Sequence, residues 1–301
     1  MPKPWTGAPA YSDVVGRVTR RAPALRYEVT AGHQPRVVRR PDTLAVEEPM
    51  EIRVDGEPLT VTMRTPGDDF DLTLGFLHGE GLIGLADDVA RLMHCLDTDD
   101  DGTPTYNVVD VTLREGVSLP DNAKRAFVTT SACGVCGTAS IDALQTTSRY
   151  AVAQDPATVD PAVLCSLPGR LRGAQKAFDR TGGVHAAGLF TADGELLVAR
   201  EDVGRHNAVD KVVGWALRED RLPLTGHVLV VTSRASFELT QKAHAAGIPV
   251  LAAVSAASSL AVDLADRVGL TLVGFVRPPH LTVYAGEQRL AVPAVAGQAS
   301  N

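Results

Sequence analysis

Hydrophobic and polar positions alternate over Met50–Met63, on both sides of Asp55-Gly56. A period of two broken by a dipeptide that accepts positive φ predicts a β-hairpin. Pro58 cannot donate to a ladder, so the second strand must start there or lie at a sheet edge. The period then changes. Pro66-Gly-Asp-Asp69 supplies a turn and acidic caps, and Phe70, Leu72, Leu74, Phe76 and Leu77 predict a helix. Apolar runs at Tyr106–Leu113 and Phe127–Thr130 read as strands, and Ala139–Thr147 reads as helical. A longer helix is predicted from Asp160 to about Phe178, with Cys165 on its apolar face. Gly182–Gly188 then leads into a second hairpin, Leu189–Val198, turning at Asp193-Gly194.

Beyond this point helices and short apolar strands take turns. Asp202 is placed to cap a helix from about Arg205 to Arg218, whose Val209, Val212, Val213 and Leu217 form one stripe. His227–Thr232 reads as a buried strand, Ser236 as the cap of a helix Phe237–Ala246, and Val250–Val254 as another strand. A helix opens at Ser258 or Ser259 and runs to Val268, and Leu270–Val276 closes the series. The alternation predicts an α/β fold with a mainly parallel sheet covered on both faces. The chain divides into a loose, proline-rich leader at 1–24, an α+β portion at 25–120, an α/β domain at 121–290 and a tail at 291–301.

Charge narrows the function. With 36 acidic and 29 basic residues in 301, the net charge of −7 is the wrong sign for gripping a nucleic-acid backbone, and no nucleic-acid partner is expected. Asp263 and Asp266 interrupt the most apolar region, Ile248–Leu272, so no membrane span is predicted. Met1–Ala10 lacks the apolar core of a signal peptide, and four cysteines are no disulfide framework. A cytoplasmic protein with reduced thiols is the expectation.

In such a setting Cys133-Gly-Val-Cys136 is chemistry or metal. Small residues on both sides, Ser131-Ala132 and Gly137-Thr-Ala-Ser140, leave room for an approaching reactant. Structural zinc needs four ligands, and Cys95 and Cys165 stand alone, about 40 and 30 residues away. A redox dithiol gains a lowered thiol pKa from this spacing, but its usual place is near the start of a βαβ unit. A sulfur carrier, holding a persulfide on Cys133, is the third reading. Spacing does not choose between the last two. His78-Gly-Glu80 adds a zinc-deaminase alternative, with the two thiolates as further ligands, although Ala132 replaces the proline expected before the first cysteine. Otherwise His78 reads as an exposed histidine at a helix end. Gly79-Glu-Gly-Leu-Ile-Gly84 matches a dinucleotide fingerprint but follows a helix, so its context fails.

Two strand ends open into small polar turns, Ser233-Arg-Ala-Ser236 and Ser255-Ala-Ala-Ser-Ser259. In a parallel sheet these lie at the carboxyl edge, where helix starts, serines and Arg234 suit a phosphate, although capping alone explains the serines. Glu201-Asp-Val-Gly-Arg-His-Asn-Ala-Val-Asp-Lys211 is denser in polar groups than a cap demands, which suggests a ligand near Arg205, His206, Asn207 and Lys211. His206 and Asp210 are spaced to pair with each other. His185 stands among glycines that invite close approach.

Taken together and in order, Met63-Arg-Thr-Pro-Gly-Asp-Asp69, Ser131–Gly137, Glu201–Lys211, Ser233-Arg-Ala-Ser-Phe-Glu238, Ala253–Ala261 and Gly274-Phe-Val-Arg277 resemble the FdhD family. Its members are sulfur carriers required for formate dehydrogenase activity. The resemblance implies a cytidine deaminase-like three-layer fold over 121–290. It implies sulfur taken as a persulfide from a cysteine desulfurase and delivered to the molybdenum or tungsten bis-molybdopterin guanine dinucleotide of formate dehydrogenase. Cys133 would bear the persulfide, with Cys136 beside it. Cofactor contacts would fall on Phe275, Val276, Arg277, Pro278, Pro279 and His280, joined by Arg234, Ser236 and Ser258 at the sheet edge. A homodimer that also binds guanine nucleotides is implied.

Overall fold

The computed structural model describes residues 18–95, 106–119 and 148–291. The expected strand Phe127–Thr130, Cys133, Cys136 and the helix Ala139–Thr147 lie outside the described residues. Three sheets and six α-helices make up the described part, a mixed α/β architecture.

Strands β1 (Thr19–Glu28) and β2 (Arg36–Ala45) pair antiparallel as a two-stranded ribbon. It starts inside the stretch expected to be a loose leader. Both of its faces are largely exposed, with Leu25, Tyr27 and Val37 open to solvent. Without a buried face there is no alternation to read, so the pattern concealed these strands.

The hairpin at Asp55-Gly56 forms as expected, from β3 (Glu48–Val54) and β4 (Glu57–Arg64). With β5 (Val89–His94) and β6 (Val108–Leu113) it makes a sheet in the order β4-β3-β6-β5, which puts Pro58 on an edge strand. Helix α1 (Asp69–Gly79) covers this sheet, burying Leu72, Leu74 and Leu77 against Met50, Ile52, Val109 and Val111.

The larger sheet has the order β12-β11-β10-β9-β7-β8. Its strands are β7 (His185–Thr191), β8 (Leu196–Asp202), β9 (His227–Val231), β10 (Val250–Ala253), β11 (Thr271–Arg277) and β12 (His280–Ala285). Only β9, β10 and β11 run parallel; β7, β8 and β12 join through antiparallel pairs. The sheet is therefore mixed rather than mainly parallel. Short turns join β7 to β8 and β11 to β12, whereas a parallel neighbour needs a long crossover. β9 shows why its run is uniformly apolar. Val228 and Val230 enter one core, Leu229 and Val231 the other, so both faces are buried.

On one face lies α2 (Pro161–Ala174), capped by Asp160, whose carboxylate accepts from the Ala162 amide at 2.7 Å. The helix expected to continue to Phe178 breaks at Gln175, and α3 (Lys176–Thr181) follows. Leu164, Leu167 and Leu171 take the core stripe. Cys165 lies off that stripe and is half-buried, not a core residue as expected. The other face carries α4 (Arg205–Arg218), α5 (Phe237–Ala245) and α6 (Ser259–Val268). Helices α1 and α4 cross at backbone contact: a Cβ on Gly214 would collide with the Asp71 carbonyl, and one on Gly75 with that of Asp210. Glycine is what allows the smaller sheet's helix to dock on the larger sheet's helix.

Candidate functional site

Because β9, β10 and β11 run parallel, the segments after them gather at one edge. Ala235 and Ala257 form a parallel bridge between the two serine-rich turns. The Ala235 amide donates to Ala256 O and the Ser258 amide to Ala235 O, each at 3.0 Å. The Phe275 amide donates to Ser255 O at 3.0 Å, tying the end of β11 to the same platform. β7 starts at this edge and β8 ends there, with His185 opposite Asp202. Ser233–Ser236, Ser255–Ser258, Phe275–His280, His185 and the start of α4 thus converge on one edge.

The expected ligand groups differ in how free they are. Arg234, Arg277, Pro278, Pro279 and His280 are exposed, and no ion pair engages Arg234, Arg277 or His280 among the described residues. Ser236 opens α5 without capping it, and its buried hydroxyl has no partner. Ser258 is an ordinary cap, accepting from the Ala261 amide at 3.3 Å. Val276 is fully buried in the core, so only its backbone faces the edge. Phe275 sits at an irregularity in the β11–β12 pairing with φ of 50°, a left-handed conformation costly for an aromatic residue, and the residue is 43% exposed.

The polar stretch Glu201–Lys211 divides in two. Asp202 does not cap α4; it is fully buried and binds Lys211 Nζ at 2.8 Å and the Thr65 amide at 3.1 Å. Asn207 donates to Met63 O at 2.8 Å and to Asp202 at 3.0 Å, and Lys211 also donates to Thr65 O at 2.9 Å. Asn207 and Lys211, expected near a ligand, instead clamp Met63-Arg-Thr65 to the larger sheet. The i,i+4 spacing does not pair His206 with Asp210. Asp210 takes Lys242 at 2.7 Å, and burial pushes its carboxyl up to about 6 against the pull of that lysine. His206 Nε2 sits 2.5 Å from Glu238 Oε2, linking the starts of α4 and α5 at the carboxyl edge. That contact, more than the opposing effect of burial, holds Glu238 below the usual carboxylate range.

His78 is not an exposed end residue. It is 5% exposed, its Nε2 donates to the Ala245 carbonyl at 3.1 Å, and burial above all lowers its pKa. Its expected exposure fails because the end of α1 packs on α5. No group of three His, Cys, Asp or Glu side chains is placed to hold a metal among the described residues.

Beside the platform, between α2–α3 and the sheet edge, lies a cavity of about 650 Å³. Phe178, Arg172, Gln175, His185, Thr232 and Val254 line it. His185 is held below its ordinary pKa by burial first, then by the charges of Arg205 and His206. Sequence reasoning missed Arg172, Gln175 and Phe178; the turn Gly182-Gly183 before His185 was the one signal pointing there.

The FdhD/NarQ family model matches residues 45–291, which span all of this scaffold except the β1–β2 ribbon. The chain belongs to the FdhD/NarQ family. Among its FdhD relatives, the Sulfur carrier protein FdhD of Streptomyces avermitilis is 57% identical over 286 residues, covering 94% of this chain and 100% of the relative. The protein of the same name from Mycobacterium tuberculosis is 57% identical, covering 84% and 94% of the two chains. That of Anaeromyxobacter sp. is 48% identical, covering 83% and 89%. A crystal structure of a candidate formate dehydrogenase accessory protein from Desulfotalea psychrophila superposes with a TM-score of 0.68, at 24% identity, over 90% of this chain and 99% of the other. This FdhD/NarQ chain shares that fold. Among the described residues no helix is long and apolar enough to cross a membrane.

Proposed function

We propose that the protein is a cytoplasmic sulfur carrier for formate dehydrogenase. Its full-length match to relatives named as sulfur carriers supports this reading most directly. The Cys133 thiolate attacks the outer sulfur of a persulfide on a cysteine desulfurase, the donor cysteine leaves as its thiolate, and Cys133 keeps the sulfur as a new persulfide. The sulfur then passes to the molybdenum or tungsten of bis-molybdopterin guanine dinucleotide, which is cargo. If Cys136 attacks the Cys133 sulfur instead, a disulfide forms and hydrosulfide leaves. The three-layer arrangement of α2, the six-stranded sheet and α4–α6 supports a cytidine deaminase-like assignment for this part.

The carboxyl edge supports the cofactor reading. Arg234 and Arg277 project there without ion pairs among the described residues, Ser236 offers a buried hydroxyl, and α5 starts beside them. An acidic protein thus presents a local cationic seat for a diphosphate. Phe275 and His280 flank it, and Val276, Pro278 and Pro279 hold them in place. Ser258 keeps its hydroxyl on its own helix and contributes position only. The homodimer belongs to the same proposal and is checked by sedimentation.

The zinc-deaminase reading loses its histidine, because His78 is buried and bonded to Ala245. The two thiols of the thiol-disulfide oxidoreductase reading lie outside the described residues. Intact-mass analysis after incubation with a desulfurase and cysteine separates them. Added sulfur on the Cys133 peptide, absent in Cys133→Ala together with formate dehydrogenase activation, is expected. Full activation by Cys133→Ala removes the carrier role from this residue, and rapid turnover of disulfide substrates without sulfur loading favours the oxidoreductase.

A further inference from the structure

The β1–β2 ribbon is the part of the molecule that its own fold covers least. It lies outside the family match, and among the described residues its two strands pair only with each other. Directly opposed residues of an antiparallel pair share a face. Ala22, Ala24 and Val38 share one face and are half-buried. Pro23 with Pro41, Leu25, and Tyr27 with Val37 share the other. Leu25 is 51% exposed, Tyr27 60% and Val37 49%, so an apolar strip meets water along that side. Arg21 and Arg39 lie on the same face as the strip. A two-stranded ribbon alone is barely stable in water, and an apolar centre rimmed by charge is the usual build of a protein interface.

Charge also sets the ribbon apart. Thr19–Ala45 holds six arginines against two carboxylates, Glu28 and Asp42, a net charge of +4 inside a chain of −7. Among the described residues only Arg36 of these six meets a carboxylate, Glu28 at 3.9 Å, and both side chains are well exposed. The other arginines offer their guanidinium forks outward, and the surface they fit carries carboxylates around an apolar centre. Pro23 and Pro41 remove an amide from each strand, so strand addition at an edge is poorly served and the side-chain face does the recognising.

Placement selects the partner. Helix α3 packs on both strands, and a Cβ on Gly183 would meet the Ala45 side chain at 3.5 Å. Gly183 and Phe178 of α3 also line the cavity at the carboxyl edge. A protein seated on the ribbon thus stands one short helix away from the edge proposed for the cargo. The enzyme that receives the cargo is the partner that must come there.

We propose that the exposed face of the β1–β2 ribbon docks the formate dehydrogenase apoenzyme, through an acidic patch with an apolar centre on that enzyme. The inference rests on the sulfur-carrier reading above and adds the surface by which the recipient is held.

The test is biolayer interferometry of the full chain against purified formate dehydrogenase apoenzyme, with folding of each variant checked by circular dichroism. Arg21→Glu with Arg39→Glu is expected to weaken binding at least about 10-fold, because carboxylates then face carboxylates. Tyr27→Ser keeps the charge and is expected to weaken it about as much by removing the aromatic anchor. Added salt should weaken the wild type more than the charge-reversed variant. Sulfur loading of Cys133 by the desulfurase, followed by intact mass, should be the same in all three proteins. Unchanged apoenzyme affinity in both variants, or no apoenzyme binding by the wild type, would overturn the assignment, while normal sulfur loading would leave the carrier reading standing. Loss of loading with apoenzyme binding intact would give the ribbon to the desulfurase instead. Loss of self-association in sedimentation, again with apoenzyme binding intact, would give it to a second copy of the chain. A wild-type chain that takes no sulfur on Cys133 would remove the carrier reading and this proposal with it.

Discussion

Helix α4 borders two polar regions of opposite character. On its inner side Asn207, Asp210 and Lys211 are almost wholly buried, and each meets a partner on another element: Met63 and Asp202, Lys242, and Asp202 with Thr65. At the carboxyl edge beyond its start, Arg234, Arg277 and His280 are exposed and engage no carboxylate among the described residues. Polar side chains serve a joint in one place and stay open to solvent in the other. Burial separates the two cases. A charge removed from water must be paired within the protein, so the inner groups have nothing left to offer. The edge groups keep their hydration.

Breaking the inner joint should have the largest effect. Lys211→Met leaves Asp202 fully buried without its cation, and a loss of about 3–5 kcal/mol in denaturant unfolding is expected. Converting both partners, Asp202→Asn with Lys211→Met, should restore part of that stability. A cost under about 1 kcal/mol for the single change would mean the pair is not the clamp described.

The helix crossing comes next. Gly214→Ala drives a methyl group into the Asp71 carbonyl, so α1 and α4 must separate, at about 1–3 kcal/mol. A melting temperature equal to wild type would show that the crossing is looser than its geometry.

A smaller effect concerns pH. Burial lowers the His78 pKa below 6.5, so the folded state favours the neutral ring. Its contribution is fully present above pH 6.5 and is lost as pH falls below that value towards the depressed folded pKa. His78→Gln should therefore give a flatter stability profile on acidification below pH 6.5 than wild type. Identical slopes would assign the acid sensitivity to other groups, His94, His185 and His244 among them, which burial also holds low.

The least effect on stability is expected at the edge. Arg234→Ala and Arg277→Ala should each change unfolding free energy by less than about 0.5 kcal/mol, as surface substitutions do. Both should weaken guanosine diphosphate binding while sulfur loading on Cys133 persists. A large stability loss in either would show that the edge arginines belong to the structural set, and the contrast with Lys211 would collapse.

The chain pattern alone determined most elements of the larger sheet and which ends of its strands would meet. Continuous apolar runs such as His227–Val231 have only one stable use, burial on both faces, and the serines and glycines after them open the turns. The hairpin at Asp55-Gly56 and the edge position of Pro58 follow equally from local stereochemistry. The motif order was enough to indicate the family. Tertiary structure decided the rest. β1 and β2 have no buried face to reveal them, and β12 is drawn into the sheet by its turn with β11. Nothing local in Glu201–Lys211 distinguishes Lys211, turned to Asp202, from His206, turned to Glu238. Which polar residues of one helix become a joint and which remain at an open edge depends on what packs against each face, and that is set by elements far away in the chain.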